Sequence, residues 1–173
     1  MSFGLAHSGL KNQVTILPNF HARSLQGLAF KTELVDLSIG NNAFVSILLK
    51  VDAAHDVRVL PRATTSGDGE FLIFEDPTIS DDGVPLAPVN YNRKSTHSLS
   101  SLIFSNPTVS DDGLILDTEL IVGGSGGSAY GANGDLENYW ILAPGKNYYF
   151  KLINLAGNNR EAQLHLDFYE VDV

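Results

Sequence analysis

Hydrophobic and polar residues alternate along most of the chain with a period of two, the period of a half-buried β-strand. In "FVSILLKV" Val45, Ile47, Leu49 and Val51 fall on one face. In "YYFKLINLAG" Tyr148, Phe150, Leu152 and Asn154 oppose Tyr149, Lys151, Ile153 and Leu155. In "QLHLDFYEV" Leu164, Leu166 and Phe168 oppose His165, Asp167 and Tyr169. "TELVDLSIG" reads the same way, with Glu33, Val35, Leu37 and Ile39 on a shared face. Each segment is short, rich in Val, Ile, Phe and Tyr, and bounded by Gly, Pro, Asn or Asp. No stretch of about twelve residues carries a helical stripe. The pattern predicts roughly eight to ten strands, an all-β chain folded as an antiparallel β-sandwich or barrel.

One segment occurs twice. "LIFEDPTISDDG", Leu72 to Gly83, returns thirty residues later as "LIFSNPTVSDDG", Leu102 to Gly113, with nine of twelve positions identical. Each copy begins as an apolar strand end. Pro77 and Pro107 then remove a backbone donor, which predicts that sheet pairing stops there. Asp-Asp-Gly closes a turn, because Asp caps nearby amides and Gly accepts a positive φ. The expectation is two equivalent corners built alike, lying outside the core. The N-terminal segment departs from the alternation seen elsewhere. Val14 to Leu17 reads as a strand ended by Pro18, and "NFHARS" as linker. This divides the chain into residues 1–24, an arm or first strand, and residues 25–173, the β-sandwich domain.

Composition narrows the chemistry. A chain of 173 residues suits one domain with a sizeable core. It has no cysteine, so disulfides, thiol catalysis and Cys-based zinc sites are absent. The formal net charge is −9 and the 11 basic residues are scattered, which argues against nucleic acid and anionic membrane as partners. No run of about 18 apolar residues is long enough to span a bilayer. "MSFGLAHSGLKNQ" lacks the basic head and apolar run of a secretory signal.

The candidate chemical motifs fail on spacing. Asp81, Asp82, Asp111 and Asp112 lack the D-x-D-x-D-G order and distal Glu of a calcium loop. Adjacent Asp in an exposed turn are solvated alike, whereas glycosidase carboxylates have environments that push their pKa values apart. "GGSGGSAYGANG", Gly123 to Gly134, holds six glycines but no P-loop lysine, and reads as a long loop. Its Ser125 lacks the G-x-S-x-G spacing of a nucleophile elbow. The five His, at 7, 21, 55, 97 and 165, form no ligand pair, although His165 shares a strand face with Asp167. The expectation is no catalytic residue, no metal and no cofactor.

The order of motifs from about Leu25 onward resembles the small jelly-roll decoration (cement) proteins on the heads of tailed bacteriophages. The residues carrying it are "FVSILLKV", "FLIFEDPTISDDG", "NYNRKS" (an N-x-N-R-x-S segment, Asn90 to Ser95), "IFSNPTVSDDG", "LILDTELIVGG", "YWILAPGKNYYFKLINLAG" and "LDFYEV". The N-terminal segment does not align. The resemblance implies a jelly-roll β-sandwich without enzyme activity or cofactor. It would sit on the outer surface of the phage head, made in the host cytoplasm, as a homo-oligomer (dimer or trimer) bridging subunits of the major capsid protein. A jelly-roll carbohydrate-binding or head-fibre module is the alternative; its usual aromatic platform would fall to Trp140, the only Trp, beside Ile141 and Leu142. Docking is expected through the N-terminal segment and "NYNRKS". There Asn90 and Asn92 would hold the loop and Arg93 would offer a planar fork to a carboxylate or carbonyl cluster.

Overall fold

The computed structural model describes residues 19–123, 129–130 and 139–173. Residues 1–18 of the expected arm and most of the Gly-rich loop at 123–134 lie outside the described residues. A short helix α1 (Asn19–Leu25) leads into strands β1 (Ala29–Ile39), β2 (Phe44–Lys50), β3 (His55–Thr65), β4 (Gly69–Glu75), β5 (Thr78–Asp81), β6 (Val84–Pro85) and β7 (Val89–Asn90). There follow β8 (Leu102–Ser105), β9 (Thr108–Asp111), β10 (Leu114–Ile121), β11 (Ala129–Tyr130), β12 (Trp140–Leu142), β13 (Asn147–Asn154) and β14 (Arg160–Asp172). The protein is all-β, two antiparallel sheets packed as a sandwich. "NFHARS" is helical rather than linker.

One sheet runs β11-β3-β14-β1-β7, with β12 also on β3; the other runs β10-β4-β13-β2-β8-β6. The pairing is nested. β1 pairs with β14, β2 with β13, β3 with β12, and β4 with both β13 and β10. The expected faces of β2, β13 and β14 meet between the sheets, where Ile47, Leu49, Phe150, Leu152, Leu164 and Phe168 are fully buried. Each such side chain contributes roughly 1.5–3 kcal/mol. Buried Asn154 ends β13. Its amide donates to the carbonyls of Ile39, Gly40 and Asn158, and its side-chain oxygen accepts from Ala156 N–H, tying two turns together.

The face predicted for β1 is corrected. Phe30 and Thr32 are buried, whereas Val35 and Leu37 are exposed. The register of β1 against β14 shifts between Asp36 and Ile39. Such a bulge reverses the alternation, so Ile39 returns to the core while its apparent face-mates do not.

Candidate functional site

The duplicated segment has one structural explanation. β5 and β9, the Thr-Ile/Val-Ser runs of the two copies, pair antiparallel with each other as a separate two-stranded sheet. The stretch after each proline is therefore a strand, not a turn: Pro77 and Pro107 end pairing with the main sheet only. The six-stranded sheet beneath is palindromic. The register Glu75↔Tyr148 and Leu72↔Lys151 on one side matches Ser105↔Ile47 and Leu102↔Lys50 on the other. An approximate two-fold axis thus passes between Leu48 and Tyr149, which face each other, and between Ile79 and Val109 above them. Leu48 and Tyr149 are buried on the sheet's outer side because this cover, with buried Pro77 and Pro107, lies over them.

Contacts repeat across the axis. Asp81 and Asp111 accept from the amides of Gly83 (2.7 Å) and Gly113 (2.9 Å). Ser80 Oγ donates to Thr108 O, and Ser110 Oγ to Thr78 O. Lys50 Nζ pairs with Asp82 at 2.6 Å and Lys151 Nζ with Asp112 at 2.9 Å. Each glycine rests on the opposite copy, Gly83 against Ser105–Asn106 and Gly113 against Glu75–Asp76. All four Asp thus bond to backbone amides or lysines, and no group of three metal-ligating side chains converges among the described residues. The half-exposed ion pairs add little: Asp82→Asn and Asp112→Asn should each cost under about 1 kcal/mol in urea unfolding, with an unchanged m-value.

The "NYNRKS" loop crosses the outer side of the other sheet. Asn90 Nδ2 donates to Gly27 O and Asn92 Nδ2 to Leu25 O, while their side-chain oxygens accept the amides of Asn92 and Lys94. Ser95 Oγ also donates to Gly27 O. Asn90 and Asn92 therefore fasten the loop to the end of α1. Arg93 is exposed and has no hydrogen-bond or ion-pair partner among the described residues.

Beneath that loop lies a polar cluster. Asp167 is only 5% exposed and accepts from Arg62, from the Tyr91 hydroxyl and from His165 Nε2 at 2.9 Å. Burial works against its charge, but the bonds from His165 and Tyr91 and the charges of His165 and Arg62 prevail and hold its carboxyl below the usual range. Burial, then the bond to Asp167, pushes the Tyr91 hydroxyl far up, and burial raises that of Tyr139 to about 12. Phe20 of α1 caps the cluster, edge-on to Tyr91 at 5.3 Å and stacked on Tyr139 at 5.9 Å. Spacing alone suggested the His165–Asp167 pair; Arg62 and Tyr91 come from other parts of the chain. Trp140 packs half-buried against the core, with Ile141 exposed beside it.

A polar cleft of about 500 Å³ lies nearby, lined among others by Arg23, His55, His97, Ser100, Glu170 and Asp172. Glu170 accepts the amides of Ser100 and Ser101. His55 reaches Asp52 at 2.8 Å and Asp172 at 3.2 Å. The bond to Asp52 raises the His55 pKa against the opposing effect of burial, helped by the charges of Glu170, Asp52 and Asp172. A raised folded value stabilises below the unfolded pKa of about 6.5 and ceases to do so as pH rises through the folded value. The melting temperature should therefore fall across that interval relative to His55→Gln, measured by calorimetry against pH.

No family model and no curated protein matches the sequence. Among the described residues no helix is long and apolar enough to cross a membrane.

Proposed function

We propose that the protein is a non-enzymatic structural component of a phage head, a decoration protein that binds the outer capsid surface as a homo-oligomer and bridges coat subunits. The observation that carries this reading is the interlocked repeat. The motifs behind the family resemblance are used to stiffen one sheet, which suits a clamp that must hold its shape. The nested strand pairing supports the jelly-roll connectivity that the resemblance implies. A ligand that binds the assembled shell and not its dissociated subunits stabilises the shell by mass action, and many equivalent sites multiply a modest contact energy.

Co-sedimentation with purified heads stripped of their decoration tests the reading. Saturable binding of the full chain is expected. Arg93→Ala should weaken it by about tenfold, the loss of roughly one charge-assisted hydrogen bond. Deletion of residues 1–18 tests the arm and leaves Phe20 in place on Tyr91. Failure of the full chain to bind stripped heads would refute the proposal. Wild-type binding by both variants would move the docking surface elsewhere. The polar cleft beside His55 favours the second reading, a module that binds a hydroxyl-rich glycan, and binding on a glycan array would establish it.

A further inference from the structure

We propose that the chain pairs with a second copy of itself along the free edge of β1, the two strands running antiparallel about a two-fold axis at Leu34. β1 lies between β14 and β7, but β7 covers only Phe30 and Lys31. At the far end the register against β14 shifts between Asp36 and Ile39. Between these limits, Thr32 to Asp36 is regular and meets no strand on its free side among the described residues. The Ala29 carbonyl accepts from Tyr91 N–H on that side, so by alternation the main-chain groups of Glu33 and Val35 also point there. The stretch carries no Lys or Pro, the usual guards of an edge strand. Val35 and Leu37 are 49% and 73% exposed. Leu34 packs against the core but is only partly buried, because its sheet ends at this edge.

The stretch is matched to itself. Leu34 is its midpoint, so a two-fold axis normal to the sheet at Leu34 pairs all of it. Glu33 then faces Val35 of the copy and exchanges main-chain bonds with it, and Thr32 faces Asp36. Leu34 meets Leu34 on the inner face, which carries the core across the junction. Leu37 arrives where β7 ends, beside Val89, which is 40% exposed. No like charges oppose each other in this register. Centring on Glu33 or Asp36 would oppose identical carboxylates, which destabilises a strand pair. Centring on Val35 would draw the irregular residues beyond Asp36 into the ladder. Both carboxylates already have partners within the chain, since Glu33 accepts from Gln163 Nε2 and Asp36 from Ser38 N–H. A basic strand therefore finds no free acid here, whereas a copy supplies the matching main chain and a second Leu34. Such an isologous contact closes at two subunits. It rests on the homo-oligomer in the function proposed above and names the surface that forms it.

Sedimentation equilibrium of the full chain should show monomer and dimer with a Kd on the order of 10 μM, as suits a contact smaller than a standard interface. Raising the concentration through that range should slow amide hydrogen exchange at Glu33 and Val35. Val35→Glu should weaken the dimer at least about fivefold, since it sets a carboxylate against Glu33 of the other copy at both ends of the contact. Adding Glu33→Lys should restore the dimer, a rescue that mere loss of stability would not give, and circular dichroism checks that both variants fold. A chain that stays monomeric well above that concentration, a dimer indifferent to Val35→Glu, or protection elsewhere in the chain would overturn the proposal. So would a chain that dimerises only after deletion of residues 1–18, since its own arm would then be the occupant of the edge. A monomer that still binds stripped heads would sink this pairing and leave the capsid reading standing; a dimer that pairs through β1 and fails to bind them would do the reverse.

Discussion

Gly113→Ala is expected to destabilise the protein by about 3 kcal/mol, combining the left-handed backbone penalty with overpacking. Gly113 has φ +87°, and a Cβ there would overlap the Glu75 carbonyl oxygen and lie 2.8 Å from the Asp76 carbonyl. Those neighbours are backbone, so relief requires moving the end of β4. Gly83→Ala should cost about the same, since its φ is +85° and its Cβ would overlap the Ser105 carbonyl oxygen. The double variant should cost less than the sum, because both changes disrupt one interlocked unit. Gly157 supplies the control: its φ is +78° with nothing within 4 Å of a Cβ. Gly157→Ala should therefore lose only the backbone share, about 1–2 kcal/mol. At this chain length 3 kcal/mol lowers the melting temperature by roughly 6–12 °C. An equal loss at Gly157 and Gly113 would show that the two copies do not lock against each other.

Asp167→Ala should cost about 3 kcal/mol or more, as expected when one member of a buried charged network is removed. Arg62, Tyr91 and His165 all donate to this carboxylate and would lose their common acceptor. The Tyr91 loop and α1 would lose their anchor on the sheet, so hydrogen exchange should accelerate first in residues 19–28 and 89–97. Acid should reproduce part of the effect. A depressed carboxyl pKa gives stability that is present above the unfolded value, about 3.9, and lost as pH falls through the folded value. The acid limb of the wild-type stability curve should be shallower in Asp167→Asn.

The parts of the fold legible in the sequence are those where one alternation meets one core. Val45, Ile47 and Leu49, and likewise Leu164, Leu166 and Phe168, are apolar at every second position and are buried. β1 was misleading because a bulge carries no residue signature of its own, and Val35 and Leu37 look like core until the register is known. The duplicated segment was conspicuous, but its role was not. The axis relating the copies also exchanges "SILLK" in β2 with "NYYFK" in β13, and these share only the final Lys, Lys50 and Lys151. Leu48 and Tyr149 are hidden on the side that alternation assigns to solvent, since the cover over them comes from elsewhere in the chain. In "NYNRKS" the self-bonding tendency of Asn90 and Asn92 was readable, but their attachment to Leu25 and Gly27 required knowing that α1 ends there. The cleft around His55 had no signal, because His55 and Asp172 stand at the ends of distant strands and His97 comes from the loop between β7 and β8.

The palindromic sheet also determines how the molecule carries a mechanical load. β2 and β13 run antiparallel at its centre, and the lysine of each is tied to a different copy of the repeat. A pull that shears one strand along the other drives Lys50 and Lys151 in opposite directions, and the β5–β9 cover joins the two halves. The tethers are loaded in parallel, so neither yields before the other. Shear along these strands therefore loads both halves of the cover together, not one strand after another.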